Sequence, residues 1–251
     1  MDEKRGADSM QNFDSRRTFR REVIALLLFG IAFGYVEAAV VVYLRAIGEP
    51  IRERVLADRP HDEVFPLLKA EECLKNGYRD IAITELWREF ATLVMLASVA
   101  LLHARNVRQW FAGFIITFGM WDIFYYVFLR VRIDWPASLW TWDILFLLPV
   151  AWVSPVLAPV IVACEMVLMG IAILWREHRG TPIAFSAWHW IAMLAGAFIV
   201  VVSFCWDYKN VTAGGMPEVF NWPLFFVGDL LGAFGFVHAF AKRGAAFVSH
   251  Y

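Results

Sequence analysis

The chain is poor in the residues that staple or charge a soluble domain. Three cysteines in 251 residues, Cys73, Cys164 and Cys205, stand too far apart for a zinc or dithiol spacing. Neither sign of charge dominates: 23 Lys and Arg face 24 Asp and Glu, leaving a net charge of −1. That balance excludes nucleic acid and a basic membrane-surface coat as whole-chain properties. Charged residues make up only 19% of the sequence, and the 16 Gly and 10 Pro follow no period, so disordered and collagen-like chains are excluded as well. There is no internal repeat, low-complexity tract, phosphate-binding glycine loop, nucleophile elbow or haem-type histidine pair. What the chain has is apolar side chain: 60% hydrophobic residues, with 22 Phe and 12 Trp, and a mean hydropathy of +0.55. Ordinary soluble domains sit near ~45–50% apolar, so this is the composition of an integral membrane protein.

A hydrocarbon core of ~30 Å needs about 20 apolar helical residues. Residues 23–43 are broken only by Glu37 and residues 110–129 only by Asp122. Residues 187–206 hold no Asp, Glu, Lys or Arg, and residues 222–241 hold Asp229 as their one acid. In the second span only fifteen residues separate Glu89 from Arg105. At ~1.5 Å per residue these cover about 22 Å, so the helix must recruit residues 83–89 and draw Glu85 and Glu89 to the membrane edge. Between Asp143 and Leu174 lies a longer apolar stretch with Glu165 and Pro149, Pro155 and Pro159. Two spans there would reverse the later loops, so one kinked helix is expected, preceded by an interfacial segment around residues 139–142.

Retention of Lys and Arg on the cytoplasmic side orients the chain. Lys4, Arg5, Arg16, Arg17, Arg20 and Arg21 hold the tail inside, and six spans then place Arg105, Arg108, Arg176, Arg179, Lys242 and Arg243 inside too. The expected fold is an all-α, polytopic transmembrane helical bundle of six spans with both termini cytoplasmic. Residues 1–22 are read as a basic tail, 23–241 as one transmembrane domain with an outer loop at 46–83, and 242–251 as a second tail. The outer loop reads as short amphipathic helices on the membrane surface. Tryptophans near both ends of the spans suit interfacial belts. Ser15-Arg16-Arg17-Thr18-Phe19 resembles a twin-arginine export signal, but the apolar run behind it has full span length and reads as a retained helix. Cys73 and Cys205 share the outer side, as two thiols or one disulfide.

Acids inside a membrane cost about 2.5–3.5 kcal/mol each on an insertion scale and are functional candidates by default. By depth, Glu37, Glu85, Glu89, Asp122, Asp143, Asp207 and Asp229 fall in the outer half, and Glu165 alone in the inner half. Helical spacing puts Glu85 and Glu89 on one face beside Arg88, and Asp122 on one face with Tyr126, near Tyr125. With Arg45, Arg130 and Arg132 at the outer rim, these residues are expected to converge on a site opening outward between the first, second, third, fourth and sixth helices. Glu37, Asp122, Glu89, Asp143 and Tyr126 are the catalytic candidates; Arg45, Glu85, Arg88, Tyr125, Arg130 and Asp229 are the binding candidates. Glu37, Asp122 and Asp229 are expected to lie a turn or more deeper than any arginine. The plainer alternative is a set of buried ion pairs that fix helix register without chemistry.

No cofactor is required by the sequence. All histidines but His61 fall on the cytoplasmic side or in the tail, which leaves no Glu-x-x-His di-iron pattern and no zinc or copper set at the outer site. Carboxylate oxygens would suit only Mg²⁺, Ca²⁺ or Mn²⁺. Gly30-x-x-x-Gly34 and Gly228-x-x-x-Gly232 let backbones approach, within the chain or in a homodimer or larger membrane complex.

Gly34-Tyr35-Val36-Glu37-Ala38-Ala39-Val40-Val41-Val42-Tyr43-Leu44-Arg45, Trp121-Asp122-Ile123-Phe124-Tyr125-Tyr126, and Trp135-Pro136-Ala137-Ser138 through Trp142-Asp143-Ile144-Leu145-Phe146-Leu147-Leu148-Pro149 carry a resemblance. In these motifs the chain resembles a group of uncharacterised bacterial multi-pass membrane proteins, which implies the bacterial cytoplasmic (inner) membrane and brings no activity. More loosely, the architecture is similar to small membrane-embedded carotenoid and terpenoid cyclases, whose motifs do not match residue by residue. Three functions follow as expectations: an enzyme using carboxylate acid/base chemistry on a lipid, isoprenoid or other apolar small molecule, a proton- or cation-coupled transporter, or an assembly subunit.

Overall fold

In hydrocarbon a backbone must satisfy its own hydrogen bonds, and the apolar runs do so as helices. The computed structural model describes residues 2–55, 79–148, 150–213 and 219–242, with side chains of the first segment described over 16–47. In chain order the elements are α1 (Asp2–Val55), α2 (Arg79–His103), α3 (Val107–Ile133), the strands β1 (Trp142–Phe146) and β2 (Trp152–Pro155), α4 (Leu157–His178), α5 (Ala187–Phe204), the short α6 (Tyr208–Thr212) and α7 (Trp222–Ala241). Six of these helices are long and apolar enough to cross a membrane. Large apolar side chains such as Leu102, Val131 and Phe198 stand exposed on the helix surfaces, as a lipid solvent requires. The protein is a multi-pass, helical membrane protein.

Glycines set the closest packing. A Cβ on Gly30 would meet Thr117 O of α3 at 2.9 Å, and one on Gly34 would meet Trp121 O at 2.9 Å. Gly196 of α5 lies so close to α7 that its Cβ would stand 2.5 Å from Gly228 O and 2.6 Å from Gly232 N. Both small-residue stripes are therefore used inside the chain. At one end of the bundle Arg108 pairs with Glu177 and His178 with Glu22, tying α1, α3 and α4. At that end, too, His189 Nδ1 accepts the Ser186 N–H at 2.9 Å, and His189 Nε2 meets His238 Nδ1 at 3.0 Å, joining α5 to α7.

The opposite end differs from expectation. The strands β1 and β2 form an antiparallel hairpin in which Asp143 pairs with Ser154 and Ile144 with Val153, with an irregularity before Phe146. Phe146 stacks on Phe118, ring centroids 6.4 Å apart. Phe118 lies fifteen residues before the end of α3 at Ile133, so the hairpin reaches about 22 Å down the bundle. Non-helical backbone is tolerated at such depth only when protein surrounds it. Pro155 ends β2 and Pro159 sits in the first turn of α4, where the missing N–H would be unbonded anyway. The expected kinked helix is thus a re-entrant hairpin followed by a helix that needs no kink. The expected surface helices of residues 46–83 are also revised: α1 runs on to Val55 and α2 starts at Arg79, while residues 56–78, Cys73 among them, lie outside the described residues.

Replacing Gly196 by Val is expected to cost at least about 1–3 kcal/mol through overpacking, read as a lowered thermal midpoint in detergent. Gly232→Ala, whose Cβ would meet only Met193 O at 3.9 Å, is expected to leave that midpoint unchanged.

Candidate functional site

At the hairpin end, helical spacing turns polar residues into stripes. Glu85, Arg88, Glu89 and Thr92 follow the i, i+3, i+4, i+7 pattern of one face of α2, and Glu37, Val41, Leu44 and Arg45 share a face of α1 at i, i+4, i+7, i+8. Trp121, Asp122, Tyr125 and Tyr126 repeat at four-residue spacing on α3. These stripes and Asp143, Ile144, Leu145, Phe146 and Leu147 of the hairpin enclose a cavity of about 220 Å³.

Arg88 is the cation that the acids share. Its Nη1 donates to Glu37 Oε2 at 2.6 Å and its Nε to Glu85 Oε2 at 2.7 Å. The two carboxylates are 13% and 15% exposed. Glu89 instead accepts the backbone N–H of Leu147, at 3.0 and 3.2 Å, so α2 holds the hairpin in place. Tyr126 donates its hydroxyl proton to Asp143 Oδ2 at 2.9 Å, with both residues buried. The guanidinium of Arg45 lies 4.7 Å from the Trp135 ring and acts electrostatically on Asp143. Asp122 faces Asp143 as a like charge and has no hydrogen-bond partner among the described residues. The buried indole N–H of Trp121 is likewise unbonded among them. Five carboxyls and two guanidiniums thus line one cavity, a set that favours protons and cations over anions.

A second cavity, of about 470 Å³, lies between α3, α4, α5 and α7, with walls of Phe111, Phe114, Met166, Met169 and Trp190. Glu165 of α4 and Asp229 of α7 both line it. Asp122, Leu145 and Phe146 line both cavities.

Of the residues expected at one site, Glu37, Glu85, Arg88, Glu89, Arg45, Asp122, Tyr125, Tyr126 and Asp143 do line one cavity. Asp229 does not: it lies in the apolar cavity with Glu165, which is therefore no isolated inner acid. Arg130 turns away to cap α3, donating to Asp134 O at 2.7 Å and Pro136 O at 3.2 Å. Glu37 was expected beyond the reach of any arginine, and Arg88 of the neighbouring helix reaches it because a long side chain spans more than one turn. The expected fourth and sixth helices give way to the hairpin as walls. Among the described residues no group of three or more His, Cys, Asp or Glu is placed to hold a metal ion. The Leu147 N–H carried no sequence signal, since it is backbone.

Arg88→Ala would leave Glu37 and Glu85 buried without their cation and is expected to cost about 3–5 kcal/mol. Adding Glu37→Gln should recover part of that loss, read from thermal midpoints in a double-mutant series. Compared with models of protein families, with curated proteins and with solved structures, the chain matches none.

Proposed function

We propose that the polar cavity is the acid/base site of a membrane-embedded enzyme acting on a lipid-soluble substrate. The observation that carries this reading is Asp122: a carboxyl on the cavity wall with no hydrogen bond among the described residues, beside Asp143, which is held by Tyr126. Two neighbouring carboxyls in different surroundings divide acid and base roles. One accepts a proton from the substrate while the other returns one elsewhere on it, so the net reaction is an isomerisation that consumes no proton and needs no oxidant. Asp122 and Asp143 are the reacting pair, Tyr126 orients Asp143, and Glu37, Glu85, Arg88 and Glu89 hold the cavity open against α1 and the hairpin. Arg45 and Tyr125 complete the wall on the Asp143 side.

Cells producing the protein are expected to show an altered lipid extract by mass spectrometry. Asp122→Asn should abolish that change while keeping the thermal midpoint; an unaltered extract with the unmodified protein would sink the reading. A second reading, a proton- or cation-coupled transporter, draws support from the row of acids running from Asp143 through Asp122 to the Glu165 and Asp229 pair. Acid-driven flux in proteoliposomes that Asp122→Asn removes would favour it.

We place the chain in the bacterial inner membrane with the hairpin end outside. The basis is that Arg105, Arg108, Arg176, Arg179 and Lys242 gather at the end opposite the hairpin, with Arg16, Arg17, Arg20 and Arg21. In a background with all cysteines replaced by serine, Ser138→Cys is expected to react with an impermeant maleimide in intact cells. Thr181→Cys should react only after lysis.

A further inference from the structure

We propose that the apolar cavity between α3, α4, α5 and α7 is the channel for the hydrocarbon chain of a single-chain amphiphile with an uncharged polar end, and that this molecule is the substrate. This rests on the acid/base reading of the polar cavity and adds to it the class of molecule and its path.

The first argument is continuity. The polar and apolar cavities meet at Asp122, Leu145 and Phe146, so a chain lying in the apolar cavity presents its end to the Asp122 carboxyl. The second is solvent. Aromatic, aliphatic and methionine side chains make up most of the wall, a surface that takes up apolar ligands, and the solvent around these helices is lipid. The third is access. Leu194 and Ala197 line the cavity yet are exposed on the outer face of α5, so its mouth opens sideways into the bilayer.

Length and charge narrow the class. Along α3 the lining runs from Phe111 to Asp122, eleven residues, or about 16 Å, which suits one extended acyl or prenyl chain of medium length. The volume of about 470 Å³ suits one such chain rather than a pair. At the head, five carboxyls surround two guanidiniums, and Arg88 is already bonded to Glu37 and Glu85. A phosphate or carboxylate head would therefore meet repulsion, whereas a hydroxyl, carbonyl or alkene would not.

Gly232 supplies a plug. It lines the channel, and a Cβ there meets nothing nearer than Met193 O at 3.9 Å, so Gly232→Leu grows into the empty channel rather than into backbone. The test uses the full-length protein in nanodiscs with a photoactivatable fatty alcohol carrying an alkyl diazirine near the chain end, and locates labelled residues by mass spectrometry. Labelling is expected at Phe114, Met166, Met169 and Met193, falling at least about tenfold in Gly232→Leu. Ala197→Trp, which narrows the mouth instead, should act the same way and serves if the leucine variant does not fold.

The corresponding fatty acid and a diazirine phospholipid are expected to label these residues weakly. Labelling confined to lipid-facing residues such as Leu168 and Phe198, or channel labelling unchanged in both variants, would overturn the proposal, as would preference for the charged or two-chain probes. Asp122→Asn should keep channel labelling. If it does so while the lipid extract is unaffected by the unmodified protein, the chain channel stands and the acid/base reading alone fails.

Discussion

Glu37 and Glu85 can stay ionised inside a helical bundle only if a cation meets them in the same low-dielectric space, and Arg88 meets both through different nitrogens of one planar group. That single fork joins α1 to α2. Without it neither helix could bring its polar stripe inward, and the cavity these stripes enclose with α3 would have no polar wall. The arginine therefore does more than neutralise charge. It sets the separation between helices at which a hairpin fits beside them.

The hairpin is the second dependency. Its backbone offers donors and acceptors at a depth where lipid could satisfy none of them, and the Leu147 N–H is bonded by Glu89. Asp143, carried down on β1, is met by the Tyr126 hydroxyl from α3. Polar side chains that look costly in a membrane thus satisfy the one irregular segment the membrane admits, and the segment in turn closes their cavity. Asp122 stands outside this mutual arrangement, with no hydrogen-bond partner among the described residues.

Much of the polar wall was legible along the chain because helical periodicity is local. The four-residue spacing of Glu85 and Glu89, and of Asp122 and Tyr126, states which side chains share a face whatever the helix packs against. The hairpin was not legible. A continuous apolar run suits a buried strand and a helix alike, and its prolines, which suggested a kink, sit at the end of β2 and the first turn of α4, where no helical hydrogen bond is lost. Asp229 and Arg130 were misplaced for a related reason. Counting residues gives depth but not azimuth, and their side chains turn toward Glu165 and toward the end of α3.

Composition and periodicity alone determined that the chain carries six runs long and apolar enough to cross a membrane and that acids, arginines and tyrosines gather near one end of the bundle. Those properties follow from the transfer cost of each side chain and the pitch of a helix, and both are local. Tertiary structure decided which acid shares which cation, that a strand pair rather than a helix closes the cavity, and that Asp122 borders two chambers. These depend on distances between segments far apart in sequence, such as Arg88 and Glu37, and only packing sets those distances.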